Sequence, residues 1–327
     1  MKSLDTIKWG IIGCGDVTEV KSGPALYKAP HSELVAVMRR NAALAEDYAR
    51  RHNVPKWYQD AESLIHDADV NAVYIATPPS SHQAYAFMVA QAGKPCYVEK
   101  PMALSFEECQ PMVAAFEEKD LPLFVAYYRR RLPLFVKAKE LLAEGVIGEV
   151  RCVNIQLFHP PKDVDLAGSE NNWRVNPQIA GGGYFVDLAS HQLDILDYLI
   201  SPIIAAQGIK TNQAGYYQAE DVVAASFQFR SGALGSGNWC FNAAPETRQD
   251  LIEIIGSAGS IRFSTFDNNP LLLTTSQGEQ SWTFENPTHI QQPLIQSVNE
   301  ALRGEGESPS TGKTAARTNW VIDQILK

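Results

Sequence analysis

Cysteine is scarce in this 327-residue chain, with five residues at positions 14, 96, 109, 152 and 240 and no CxxC spacing. An odd, scattered set excludes a disulfide framework and a zinc site, and is what a cytoplasmic protein with reduced thiols is expected to carry. No metal is expected. No apolar run is long enough to cross a bilayer, and Met1 to Lys8 lacks the apolar core of a secretion signal. Low-complexity tracts and internal repeats are missing as well. So is a basic excess: 28 Lys and Arg stand against 37 Asp and Glu, for a formal net charge of −9. That balance disfavours nucleic acid and anionic membranes as partners. What remains is an ordinary globular composition, 45% hydrophobic and 20% charged, at a length that suits two domains.

The first third alternates short apolar runs with amphipathic segments. Strands are expected at Ile7 to Ile12, Glu33 to Met38, Ala72 to Ala76, Cys96 to Val98 and Leu123 to Ala126. Helices are expected at Ala42 to Arg51, Ala61 to His66, His82 to Ala92 and Phe106 to Lys119. Continuous hydrophobicity in the strands implies a parallel sheet covered on both faces by right-handed βαβ crossovers. After about residue 126 the texture changes. A helix at Pro133 to Glu144 stops at Gly145. Polar–apolar alternation then marks strands at Glu149 to Phe158, Ile203 to Lys210, Val222 to Phe229, Ala233 to Cys240 and Gln249 to Ile255. Ser231-Gly232 turns one hairpin, Tyr184 to Leu199 reads as a helix, and two more helices lie near Ile290 to Leu302 and Lys313 to Leu326. The expected architecture is α/β: a doubly wound parallel sheet of Rossmann type over 1–126, then an α+β domain with a large, mostly antiparallel open sheet over 127–327.

Four clusters carry chemistry. Gly10-Ile-Ile-Gly13-Cys14-Gly15-Asp16-Val17-Thr18 follows the first strand, as a dinucleotide loop does. Gly13 serves the tight turn, Gly15 lets backbone N–H groups approach a pyrophosphate, and Cys14, Asp16 and Val17 complete the cradle. The third glycine of that fingerprint is Thr18 here, and Pro24 interrupts the helix that should follow. The second strand ends on Arg39-Arg40, where an NAD-selective loop offers a carboxylate to the ribose 2′-hydroxyl. Two guanidinium groups suit a 2′-phosphate, so NADP is expected over NAD, with Arg39 the main contact. Thr77-Pro78-Pro79 forms a rigid turn at the cofactor edge, with His82 in the first turn of the next helix. Finally, a buried strand ends on Glu99-Lys100-Pro101. A lysine at the carboxyl edge of a parallel sheet lies where ligands bind, and it can hold a substrate oxygen and steer its proton.

The second domain supplies Gly181-Gly182-Gly183, whose bare backbone must lie close to something, then Asp187 and His191 four residues apart on one helical face. Tyr127, Tyr128 and Arg129 follow the last Rossmann strand, and Trp173-Arg174 precedes the glycine run. With Phe158 and His159 they are candidate pocket walls. An aromatic ring beside a guanidinium suits a polyhydroxylated ligand, with Tyr128, Trp173 and Arg174 as expected substrate contacts.

The glycine loop, Glu99-Lys100-Pro101 and Gly181 to Gly183 with Asp187 and His191 together resemble the Gfo/Idh/MocA family of NAD(P)-dependent oxidoreductases, named for glucose–fructose oxidoreductase and inositol dehydrogenase. The resemblance takes in Ile254 to Ile261 and Pro309 to Gly312 and spans almost the whole chain. It implies an active-site lysine at Lys100, a substrate-orienting carboxylate at Asp187 and proton transfer at His191. It also implies a second sheet that serves dimer or tetramer contacts. Oxidation or reduction of a sugar, polyol or related carbonyl compound is the expected activity. Two other activities occur on the same scaffold. One is a glycosidase that oxidises, eliminates and reduces again with bound NAD. The other is a dinucleotide-dependent sensor without turnover, against which the intact Lys100, Asp187 and His191 argue.

Overall fold

A computed structural model of the protein describes residues 3–168 and 172–327. Met1 and Lys2, part of the N-terminal stretch considered above, and Ser169 to Asn171 lie outside the described residues. The chain forms two compact units, Met1–Arg131 with Asn286–Ala316, and Leu132–Glu285 with Arg317–Lys327.

The first unit holds a six-stranded sheet of β1 (Ile7–Ile12), β2 (Ser32–Met38), β3 (Lys56–Tyr58), β4 (Ala72–Ile75), β5 (Cys96–Val98) and β6 (Leu123–Val125). All neighbours are parallel, in the order β3-β2-β1-β4-β5-β6. That is the Rossmann order, and it reverses direction between β1 and β4. The near-continuous burial of β1, β2 and β4 explains why their apolar runs were legible. β3 was not expected: Lys56-Trp57-Tyr58 is a half-exposed edge strand without an apolar run. The helix after the glycine loop is split at Pro24 into α1 (Asp16–Val20) and α2 (Gly23–Lys28). Proline lacks the N–H a continuing helix needs but fits a first turn. The crossovers α3 (Ala42–Arg51), α4 (Ala61–His66), α5 (His82–Gln91) and α6 (Phe106–Glu118) follow in alternation. Asn41, Asp60 and Ser105 cap α3, α4 and α6 by accepting a backbone N–H.

On one face of this sheet Trp9, Tyr74 and Tyr97 pack as a fully buried aromatic cluster, with ring centroids 6.4 Å (Trp9–Tyr97) and 5.0 Å (Tyr74–Tyr97) apart. Edge and tilted ring pairs of this kind add about 0.5–1.5 kcal/mol each beyond area burial. The segment 286–316 covers that face: Trp9 Nε1 donates to Asn299 Oδ1 at 3.2 Å.

In the second unit α7 (Pro133–Ala143) precedes β7 (Val150–Phe158). Then come the short helices α8 (Asp163–Leu166) and α9 (Pro177–Ala180), and the longer α10 (Ser190–Leu199). Strands β8 (Ile203–Thr211), β9 (Val222–Phe229), β10 (Leu234–Cys240), β11 (Gln249–Gly256), β12 (Gly259–Phe263), β13 (Leu271–Thr275) and β14 (Gly278–Trp282) complete an eight-stranded sheet. Its order is β14-β13-β12-β11-β7-β10-β9-β8. Every pairing is antiparallel except β7 with β10. The alternating burial of β7 and β10 matches the alternation read from sequence and leaves one face open. β12 to β14 were not expected as separate strands: they are short, and β14 is mostly exposed. The chain closes with α11 (Gln292–Arg303) in the first unit and α12 (Gly312–Leu326), which runs from the first unit into the second.

Candidate active site

Strand register gathers the first set of residues. Ile12 pairs with Met38 and Ile75, Ile75 with Val98, and Val98 with Val125. The residues that follow, Gly13, Arg39, Ala76 and Glu99, therefore stand at one carboxyl edge, at the switch point where open parallel sheets bind ligands. Gly13 has φ +92°, and a Cβ there would lie 2.6 Å from Thr77 Cγ2 and 3.0 Å from the Thr77 backbone nitrogen. Only glycine fits between β1 and the Thr77-Pro78 turn. Gly15 differs: its φ is −147°, and a Cβ would meet nothing nearer than Gly13 O at 3.9 Å. The fold does not require glycine at 15, whereas a ligand lying against the backbone would.

The N–H groups of Gly13 and Cys14 donate to Met38 O at 2.9 and 3.1 Å. The Gly15 N–H donates to Thr18 Oγ1 at 3.0 Å, and that hydroxyl returns a bond to Gly15 O at 2.8 Å. Thr18, fully buried, thus closes the loop where the fingerprint has glycine. The N–H groups of Asp16 and Val17, first in α1, are the ones left for a phosphate. Burial pushes the Cys14 thiol up to about 11, so Cys14 serves this edge through its backbone. Arg39, half-buried, donates from Nη1 to Cys14 O at 3.4 Å and so lies against the loop, while Arg40 is exposed. No carboxylate ends β2.

Thr77 accepts a bond from Ser81 Oγ at 2.7 Å on its hydroxyl and contacts His82 Nε2 at 2.7 Å through its carbonyl. His82 is fully buried, and its Nδ1 faces Pro101 O at 3.1 Å and Met102 O at 3.2 Å. Burial lowers its pKa. The ring ties the Thr77 turn to the Pro101–Met102 backbone, and both nitrogens are engaged by backbone. Glu99 is buried at 7% exposure, whereas Lys100 is half-buried and is joined to Pro101 by a cis peptide bond. Tyr127 and Tyr128 are buried after β6, and the Arg129 guanidinium lies 5.0 Å from the Tyr128 ring centroid. Arg130 is buried and structural, donating to Pro309 O at 2.5 Å and Thr314 Oγ1 at 3.0 Å.

The second unit brings together another set. Gly181 is left-handed (φ +82°) and ends α9. A Cβ on Gly183 would lie 2.6 Å from Ala219 Cβ, which identifies what the bare backbone packs against. The chain then makes a π-helical turn, Phe185–Ala189, before α10. The expected single helix from Tyr184 is therefore wider-wound at its start, a feature frequent at functional sites. Asp187 lies in that turn, half-buried, and His191, 3% exposed, lies just beyond it with its ring 6.0 Å from Phe266. The Arg174 guanidinium lies 4.6 Å from the Trp173 ring centroid, and its Nε is 3.8 Å from Asp187 Oδ2. Trp173, Arg174 and Asp187 are thus one cluster. Phe158 is half-buried at the end of β7. Next to it, His159 has its Nε2 buried with no hydrogen-bond partner among the described residues, and burial lowers its pKa.

Sequence reasoning missed a triangle beside this cluster. Tyr184 OH donates to Asp165 Oδ2 at 2.8 Å, and Asn172 Nδ2 donates to Asp165 Oδ1 and to Tyr184 OH, each at 2.8 Å. The Lys162 ammonium lies 3.9 Å from the Tyr184 ring centroid. Nothing in spacing links Asp165, Asn172 and Tyr184. The available hint was a tyrosine directly after three glycines, a position where a buried hydroxyl needs partners.

The family description "Oxidoreductase family, NAD-binding Rossmann fold" matches residues 7–127, and "GFO/IDH/MocA C-terminal domain" matches residues 135–262. The chain is 41% identical to "Oxidoreductase P35" of Formosa agariphila over 319 residues, 97% of each protein. It is 26% identical to the 1,5-anhydro-D-fructose reductase of Ensifer adhaerens over 94% of this chain and 91% of that one. Among solved structures, a levoglucosan dehydrogenase in complex with NADH and levoglucosan superposes with a TM-score of 0.86 at 24% identity. That alignment covers 98% of this chain and 96% of the other, a likeness of fold.

Proposed function

Because the chain belongs to the Gfo/Idh/MocA family, and so is an NAD(P)-dependent oxidoreductase acting on CH–OH groups, we propose that its substrate is a sugar, polyol or related carbonyl compound. In this proposal Lys100 and His191 handle the proton, and Asp187 orients the substrate. The observation that supports it most is the position of Lys100, one residue past the Gly13–Arg39–Glu99 register on the ligand-binding edge. The names of two relatives, a 1,5-anhydro-D-fructose reductase and a levoglucosan dehydrogenase, favour an anhydro-sugar or similar ring.

The fit to a dinucleotide rests on Gly15, where the protein leaves open the space a side chain would fill, and on the Asp16 and Val17 N–H groups at the start of α1. When bound, the nicotinamide accepts or gives the hydride; the chain supplies alignment and proton chemistry. The Lys100 ammonium stabilises negative charge that develops on the substrate oxygen. His191 takes the hydroxyl proton during oxidation and returns it during reduction, a task suited to imidazole near neutral pH. Asp187 accepts a bond from a neighbouring hydroxyl, with the Trp173 ring and Arg174 forming the adjoining wall. The direct measurement is nicotinamide absorbance with levoglucosan and a panel of aldoses and polyols for oxidation, and with 1,5-anhydro-D-fructose for reduction. Turnover with at least one is expected. Tight dinucleotide binding with no turnover across the panel would overturn the assignment.

NADP is the preferred cofactor in this proposal. Arg39 lies against the glycine loop, and no carboxylate is present at the end of β2 to repel a 2′-phosphate. Arg39→Asp is expected to weaken NADP binding by at least about tenfold and to leave NAD affinity equal or better, read by fluorescence titration. Unchanged discrimination would remove the 2′-phosphate role. A homo-dimer or homo-tetramer formed through the open face of the second sheet is also proposed, since Leu234 is 57% exposed there at the start of β10. Light scattering at the monomer mass would refute it. A cytoplasmic location is proposed as well, from the odd number and scattered spacing of the five cysteines in the sequence.

A further inference from the structure

Gln291 carries no motif, yet it belongs to a buried hydrogen-bond network in the first unit. It sits at the N-cap position of α11, without a side-chain capping bond, and is fully buried. Its backbone N–H donates to Lys21 O at 3.1 Å, its Nε2 donates to Glu99 Oε1 at 2.6 Å, and its Oε1 accepts from Tyr97 OH at 2.9 Å. Tyr74 OH donates to the same Glu99 oxygen at 2.6 Å, while Glu99 Oε2 accepts the backbone N–H of Lys100 at 3.1 Å. The Tyr74 hydroxyl also lies 3.0 Å from Ser22 Oγ, which donates to Val17 O at 3.2 Å in α1.

We infer that Gln291 and Tyr74 are positioning residues for Lys100, acting through Glu99. A carboxyl group this buried needs hydrogen-bond partners on its oxygens. Here two side-chain donors converge on one oxygen and leave the other for the Lys100 N–H. Lys100 is followed by a proline, which donates nothing, so Glu99 anchors the backbone of this corner. The same chain of bonds reaches Val17, whose N–H is one of the two left for a phosphate. The dinucleotide loop and the lysine are thus held by one buried network rather than by separate surface loops. Space-filling alone does not account for it, since apolar residues of like size would pack as well and avoid burying a charge.

The inference rests on the role given to Lys100, and the test separates the two. With the panel substrate that turns over fastest, Gln291→Leu is expected to lower kcat about 10- to 100-fold while KM and dinucleotide affinity stay within about threefold. Tyr74→Phe, which keeps the ring, is expected to lower kcat about 3- to 10-fold. Gln291→Glu supplies the readout a structural role would not move. It places a second carboxylate 2.6 Å from Glu99, so the two share one proton and repel once it is lost. Its kcat is expected near the parent value at low pH and to fall as pH rises through a new ionisation absent from the parent. Independently of turnover, the 13C resonance of dimethylated Lys100, assigned with Lys100→Met, should shift or broaden in Gln291→Leu and in Gln291→Glu at high pH. If Gln291→Leu does not fold, the Tyr74→Phe and Gln291→Glu measurements stand alone. Parent-like kcat, pH profile and Lys100 resonance in these variants would overturn the inference while leaving the Lys100 role intact. Full turnover of Lys100→Met would overturn that role itself.

Discussion

Lys100→Met is expected to lower kcat by about 10²- to 10³-fold, with dinucleotide affinity retained within about threefold. The substitution removes one preorganised charge at an oxygen that becomes negative during reaction. Methionine keeps most of the stem volume and removes the ammonium. The residue is half-buried at the strand edge rather than in the core, so folding should be little affected. His191→Asn is expected to cost a further positioned acid–base, about 10²- to 10⁴-fold, without loss of dinucleotide binding. The measurements are steady-state kinetics and dinucleotide titration on each variant, with folding checked by circular dichroism. Turnover unchanged in both variants would exclude the proposed proton path. Turnover lost only in step with dinucleotide affinity would make Lys100 a cofactor ligand instead.

The second large effect concerns two glycines two residues apart. Gly13→Ala is expected to destabilise the protein by about 2–4 kcal/mol, combining left-handed backbone with overpacking. The clash is with the Thr77 backbone at 3.0 Å, which cannot swing away as a side-chain tip would. Gly15→Ala is expected to leave stability within about 0.5 kcal/mol, since its backbone is extended and its Cβ space is open. Its effect should fall on dinucleotide affinity, lowered at least about tenfold, because the added methyl occupies the approach to the loop backbone. Thermal unfolding without dinucleotide and titration with it separate the two. Equal destabilisation by both substitutions, or undiminished affinity in Gly15→Ala, would show that the open space at Gly15 is not where the cofactor lies.

Much of the fold could be read along the chain because the first unit is built from local signals. The strands Ile7–Ile12 and Cys96–Val98 and the helices Ala42–Arg51 and Ala61–His66 have the boundaries their apolar runs and caps imply. The open second sheet was legible for the opposite reason: one face is wet, so β7 and β10 alternate. β3 and β14 were not legible because an exposed edge strand needs neither a run nor an alternation. The π-helical turn at Phe185–Ala189 was not legible because its sequence is a helix sequence; close packing of the glycine backbone before it accompanies the wider winding.

The candidate site divides in the same way. Gly13, Arg39, Thr77 and Lys100 could be named from the chain alone, because each lies one or two residues past a strand of a parallel sheet and strand ends share an edge. That inference needs only order and periodicity, which are properties of neighbouring residues. Gln291 beneath Glu99, and the Asp165–Asn172–Tyr184 triangle, could not be named, because their partners are brought close only by folding. Glu99 and Gln291 lie 192 positions apart, and the chain between them carries no periodicity that pairs a glutamine with a carboxylate. Burial makes that pairing obligatory, and burial exists only once the chain has returned to its first sheet.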